Sequence, residues 1–333
     1  MRKPALLLAA TLFSGCSPAY VLHVASGHAR LLWSRQSLER GLSDPALSEA
    51  QKRGLARVAE IRRFAFERIG LENSRDYSSY AHVDGAGLTF LVSGAERLRL
   101  EPYLWSFPVA GSFPYKGFFK KDKALREKRR LEIKGYDAHV GAAAAYNTPL
   151  WFSDPVPSTL LDEPVGPLAA LILHELSHGS FFFKDHASFN ESAATFIGET
   201  AAEDFLRESY GLGSPELDQY RAWRSSEAAV AQAFDRLYES LERLYGLRLA
   251  PEEVLRRREE IFRAGERDLA GLGVEIRLNN AVLLAERTYR RDLSLFQRAH
   301  DRRGRRWPET IRLLRSLNPR DPFGNLRASV GGG

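Results

Sequence analysis

The sequence predicts an α+β fold, mostly helical, with a small β-sheet and a charged helical hairpin added to it. Three observations carry this. Apolar residues recur at helical spacing, as in Leu55, Val58, Ile61 and Phe64, the mark of one buried helix face. Only Leu88 to Val92 and Asp137 to Tyr146 read as strands. No internal repeat and no clear linker divides the 333 residues. One domain over 16–320 is therefore expected, large against the usual ~100–200 residues. The 44% apolar and 27% charged content belongs to a folded chain rather than a disordered one. No apolar run reaches the roughly 18 residues that a membrane-spanning helix needs.

The N-terminus reads as a targeting segment. Arg2 and Lys3 precede a short apolar stretch, Ala5 to Phe13, and Ser14-Gly15 lead into Cys16, the sole cysteine. A charged start, a short apolar core and small residues before a cut site describe a signal peptide, here residues 1–15. Leu12-Phe13-Ser14-Gly15-Cys16 resembles a bacterial lipoprotein box. Lipidation of Cys16 would attach several acyl chains, each contributing about 0.8 kcal/mol per buried CH2, and hold the protein on a membrane. Ser17 rather than Asp fits sorting to the periplasmic face of the outer membrane, so a lipid-anchored protein of the bacterial cell envelope is expected. One cysteine also excludes disulfides and CxxC sites. Removing 1–15 takes away Arg2 and Lys3 and lowers the net charge from +6 to +4. That mild balance gives no reason to expect nucleic acid as a partner.

Tyr20 to Leu32 reads as a helix after Pro18, and Ser48 to Ile69 as another. Asn73 to Asp84 is a turn-rich link. Glu101 to Phe119, with three prolines and two glycines among aromatics, reads as a long loop. Lys121 to Lys134 is a charged helix stopped by Gly135. Trp151 to Pro167 is irregular, and Pro167 is placed to open an apolar helix reaching 182. Ser188-x-x-Glu191 matches a capping box at the next helix start. Ala228 to Tyr245 and Pro251 to Leu269 form the charged hairpin of 228–269. Asn279 to Arg298 and Pro308 to Leu317 are the last helices, and 321–333 reads as a flexible tail.

The apolar helix carries His174-Glu175-Leu176-Ser177-His178, an H-E-x-x-H pattern. Histidines at i and i+4 share a helix face, so both imidazoles can reach one ion. Glu175 is placed to act as the general base on water. With 8 histidines in the chain, chance gives roughly 0.015 such patterns in this length. A catalytic Zn2+ site needs a third protein ligand. Phe181 and Lys184 exclude the H-x-x-G-x-x-H continuation. Asp185 and His186 fall on the turn after the helix, where they could orient a ligand. Glu191, separated from His178 by twelve residues, is the preferred third ligand, and Glu199 the alternative. The two lie about 12 Å apart along one helix, so they cannot share an ion.

His174-Glu175-x-x-His178 followed by Asn190-Glu191-Ser192-x-Ala194 resembles the gluzincin metallopeptidases, in which the glutamate of N-E-x-x-A is the third zinc ligand. The chain as a whole resembles the bacterial family of predicted aminopeptidases, many of them lipoproteins. The resemblance covers nearly all of 16–320, including Trp105 to Gly111, Tyr115 to Phe119, Ala145 to Thr148, Asn279-Asn280-Ala281 and Tyr289. Pro149-Leu150 departs from the family's pattern there. The resemblance implies a zincin-like metallopeptidase domain acting on peptides, with one Zn2+ on His174, His178 and Glu191. Tyr146 is the first candidate to stabilise the oxyanion, with Tyr115 and His139 as alternatives. The strand from Asp137 could align an extended substrate. Two other readings share the motif: a zinc-binding envelope scaffold or assembly factor without turnover, and a zinc hydrolase of non-peptide amides. Glu175 argues against the scaffold, because a structural site needs no base.

Overall fold

The computed structural model describes residues 18–83, 89–107, 111–143 and 153–331. The first elements are α1 (Pro18–Trp33), β1 (Gln36–Ser37), α2 (Leu38–Leu42) and α3 (Glu49–Phe64). A reciprocal capping box fixes the start of α3: Ser48 Oγ accepts from the Gln51 amide, and Gln51 Oε1 accepts from the Ser48 amide. Leu55, Val58, Ile61 and Phe64 are all buried along its inner face, as the spacing predicts. A π-helical turn, Ala65–Ile69, continues α3 and ends at Gly70.

The link after this turn contains a strand, β2 (Ser79–Ala81), which the sequence pattern does not signal. Tyr77 and Tyr80 are fully buried beside it. Next come β3 (Thr89–Ala95), β4 (Trp105–Phe107), β5 (Gly111–Phe113), β6 (Tyr115–Phe118), α4 (Lys121–Ile133), β7 (Asp137–Ala143) and β8 (Val156–Pro157). Within the long loop expected over 101–119, the described residues include three short strands. Their partners lie partly elsewhere: β4 pairs with β5, but β6 pairs with β3. The sheet that matters for the site has the order β6-β3-β7, antiparallel throughout, with Ser93 opposite both Tyr115 and His139. A second sheet, β1-β2-β8, is antiparallel at β1 and parallel at β8.

The rest of the described chain is helical: α5 (Val165–Ser177), α6 (Ala187–Tyr210), α7 (Pro215–Tyr245), α8 (Pro251–Ala270), α9 (Asn280–Arg290), α10 (Leu293–Asp301), α11 (Trp307–Ser316) and α12 (Pro322–Gly331). None is long and apolar enough to cross a membrane. Pro167 occupies the third position of α5, still in the first turn, where the missing amide has no helical partner to lose. Helix α5 stops at Ser177, well before 182. Helix α7 begins at Pro215, capped by Ser214, so the hairpin's first arm is longer than 228–245. The expected helix 279–298 is broken between α9 and α10, where Asp292 adopts a left-handed conformation. Residues 322–331 of the expected tail form a packed helix: Phe323 and Leu326 of α12 are buried, and Phe323 meets Phe189 at 5.0 Å between ring centroids.

Three large apolar clusters organise the described residues. The largest joins α3, α5, α6, α10, α11 and α12. A second fills the space between α7, α8 and α9, with Phe234, Leu241, Phe262 and Val282. The third lies under the β6-β3-β7 sheet and α4. The hairpin is tied to the sheet by a buried ion pair. Arg258 Nη2 donates to both Asp137 carboxylate oxygens, at 3.0 and 2.8 Å, and the Asn280 amide donates to the same group at 3.1 Å. Arg97 Nε lies 3.7 Å from the Asp137 carboxylate and Glu259 lies 3.7 Å from Arg258 Nε, so losing one partner would leave the other buried charge with only a longer, more exposed counter-ion.

Candidate metal centre

Two antiparallel helices, α5 and α6, build the site. Their close approach depends on Gly198: a Cβ there would lie 2.4 Å from the Ala170 carbonyl oxygen and 3.0 Å from His174 Cβ. The return between the helices is shaped by Asn190. Its Oδ1 accepts from the Phe183 amide at 3.0 Å and its Nδ2 donates to the Phe183 carbonyl at 2.9 Å. Asn190 therefore braces the loop. The Ser188 capping box does not form. His186 is the N-cap residue of α6 and no side chain caps it. The Glu191 carboxylate points away from its own helix end, toward the two histidines.

His174, His178 and Glu191 converge. The two Nε2 atoms are 3.3 Å apart, and Glu191 Oε2 lies 3.3 Å from that of His174 and 3.6 Å from that of His178. Two nitrogens and an oxygen bound at ~2.0–2.2 Å around one tetrahedral ion would sit about 3.3–3.6 Å from one another. The three donors thus fit a single ion of the Zn2+ type, and this trio can hold a metal. The other Glu191 oxygen, Oε1, accepts from the Tyr115 hydroxyl at 2.9 Å. That bond orients the carboxylate and leaves Oε2 free.

The charges follow from burial and from these neighbours. Burial by itself raises the Glu191 carboxyl, but the two imidazoles outweigh it and hold it well below the usual carboxylate range. Burial works against a charged His178, yet the Glu191 and Glu175 carboxylates raise it overall. Glu175 is pushed up mainly by burial, against the pull of His174 and His178. A carboxyl raised in this way is better matched to a proton that must come and go near neutral pH. Tyr115 and Tyr289 are both raised well above the ordinary phenol value by burial first and by Glu191 next. Both hydroxyls therefore remain protonated donors.

These residues border a cleft of about 560 Å³, lined among others by His174, Glu175, Tyr115, His139, Glu199 and Tyr289, a size that suits a small ligand or a short peptide segment. The alternative ligand Glu199 also lines the cleft, but Arg290 Nη1 occupies it at 3.1 Å. Asp185 is turned aside: its Oδ1 accepts from the Ser112 amide at 2.7 Å. Tyr115 is committed to Glu191, and His139 stands on β7 with its imidazole lowered by burial. Tyr146 and Cys16 lie outside the described residues.

Sequence reasoning assigns no role to Tyr289. Its ring stacks on His174, 6.2 Å between centroids at 29°. Among the described residues its hydroxyl makes no hydrogen bond. No local pattern marks such a residue, because 115 positions separate it from His174; only the packing of α9 against α6 brings it in. Ser192 Oγ supports that packing by donating to the Thr288 carbonyl and accepting from the Arg291 amide.

No curated protein and no solved structure gives a significant match to this sequence. The family described as "Putative aminopeptidase" matches residues 19–323, almost the whole of the described structure. Its description suggests peptidase activity, in line with a metal-competent trio beside a buried glutamate. The chain belongs to the putative aminopeptidase family.

Proposed function

We propose that this protein is a zinc-dependent peptidase, an aminopeptidase by family, whose zincin-like site holds one Zn2+ on His174, His178 and Glu191. The observation that carries the reading is the spacing of the three donors, 3.3, 3.3 and 3.6 Å, next to Glu175, a buried carboxyl that belongs to no such trio. Zn2+ bound there would supply a Lewis acid that polarises the scissile carbonyl and lowers the pKa of water. Glu175 takes a proton from water and returns it to the leaving amine, a task suited to its raised pKa. Tyr115 holds Glu191 in place. Tyr289, whose hydroxyl is uncommitted among the described residues, offers it to the developing oxyanion, as such stabilisation requires a preorganised donor. β7 pairs on one side only among the described residues, and Gly141 and Ala142 border the cleft. Its backbone is placed to align an extended peptide. Anchoring through lipidated Cys16 in the bacterial envelope completes the proposal.

The test is metal analysis together with a peptide-library digest read by mass spectrometry. Wild-type protein is expected to contain one zinc and to release N-terminal residues. Glu175→Gln is expected to keep its zinc and lose turnover by about 10²–10⁴-fold. Near wild-type turnover in that variant would remove Glu175 from the chemistry, and zinc-loaded wild-type protein that cleaves no library peptide would remove the peptidase reading.

A further inference from the structure

Among the described residues, four glutamates line the cleft, at 163, 175, 199 and 286, and the only Lys or Arg lining it is Arg290. Arg290 is already engaged: Nη1 meets Glu199 at 3.1 Å and Nη2 meets Glu227 at 2.9 Å. The neighbouring Arg287 is directed elsewhere, onto Asp235 at 3.3 Å and over the Tyr238 ring at 3.7 Å. Glu286 is left over. It is half-buried, and among the described residues its carboxylate makes no hydrogen bond and no ion pair within 4 Å. Burial raises its carboxyl, with Arg290 opposing and Glu227 adding to the rise. A partly desolvated carboxylate without a counter-ion is costly unless a ligand supplies one.

Its place on α9 shows where that ligand's charge would sit. Glu286 and Tyr289 are three residues apart, on one helix face, with about 4.5 Å of axial rise between them. Tyr289 is the residue that stacks on His174. In an N-terminal amino acid the ammonium nitrogen is about 2.5 Å from its own carbonyl carbon. A peptide whose first carbonyl lies at the metal site therefore carries its ammonium close by, inside the cleft that Glu286 and Tyr289 both line.

We infer that Glu286 receives the free α-ammonium group of the peptide substrate and so restricts the cleft to chain N-termini. This rests on the peptidase reading for its substrate class, but binding can be measured apart from turnover. The probes are trialanine, N-acetyl-trialanine and N-acetyl-Ala-Lys-Ala, titrated by calorimetry into zinc-loaded Glu175→Gln protein with Glu286 intact or changed to Gln. With Glu286 intact, trialanine is expected to bind at least 10-fold tighter than either acetylated peptide. Glu286→Gln should reduce that ratio to about two or less, and Glu286→Asp, which keeps the charge, should retain part of it. A purely structural role for Glu286 would not discriminate between free and acetylated termini. A ratio near one with Glu286 intact, or a ratio unchanged by Glu286→Gln, overturns the inference. So does Glu286-dependent binding of the lysine peptide equal to that of trialanine, since the ammonium would then be a side chain's. If the binding ratio holds while wild-type protein cleaves none of the three peptides, Glu286 stands and the peptidase reading falls. If wild type cleaves peptides without showing the ratio, the peptidase reading stands and the role of Glu286 falls.

Discussion

Replacing Gly198 by alanine tests whether the contact between α5 and α6 sets the site. The new Cβ would meet the Ala170 carbonyl oxygen at 2.4 Å and His174 Cβ at 3.0 Å, where ordinary contact begins at 3.4 Å. The first neighbour is backbone, so relief requires the helices to part by about 1 Å. Overpacking of this kind costs about 1–3 kcal/mol. The gain in helix propensity from Gly to Ala, about 1 kcal/mol, offsets part of it. Net destabilisation is then about 0–2 kcal/mol, and the fold survives. The site has less tolerance: ligands must be held to within about 0.5 Å, and His174 is on one helix with Glu191 on the other. Zinc affinity is expected to fall at least 10-fold, measured by chelator competition, alongside a Tm lowered by a few degrees at most. Gly246→Ala is the control, because its nearest atoms are at 3.5 Å and its φ of −75° is ordinary for alanine. Wild-type zinc affinity in Gly198→Ala would show that the helices can yield without moving the ligands, and close approach would not be what sets the site.

Glu191→Gln is expected to lose most of its zinc, whereas Glu199→Gln, whose wild-type carboxylate is held by Arg290, should keep a full complement; elemental analysis of both separates the two assignments. Tyr115→Phe removes the 2.9 Å bond to Glu191 and should weaken zinc binding by about 10–100-fold; unchanged affinity would mean that helix packing alone orients the carboxylate. Cys16→Ala should move the protein from the membrane fraction to the soluble fraction without altering its Tm, and wild-type protein without lipid mass on its N-terminus would end the anchoring proposal.

What the sequence determined by itself was whatever depends on short spacing. His174 and His178 are four residues apart on one helix, so their shared face follows from helical periodicity alone. Glu191 was accessible for a related reason: twelve intervening residues allow one turn and an antiparallel return. The buried stripe of α3 follows from periodicity in the same way, and the charged hairpin and the strands read over 88–92 and 137–146 follow from local composition. Long-range contact decided the rest. Within 101–119, residues 115–118 are strand because β3 supplies the partner for β6, which the local sequence does not contain, while β4 and β5 pair with each other. Residues 322–331 of the expected tail are helix because Phe323 finds an aromatic pocket made by Phe189 and Phe296. Ser188 and Asn190 carry capping chemistry, but the loop contact of Asn190 with Phe183 and the pull of two histidines on Glu191 override the local preference. Tyr115, Tyr289 and Glu286 reach the cleft from a strand and a helix far away in the chain. Their roles rest on which neighbours are already paired, and pairing of that kind exists only once the tertiary structure has formed.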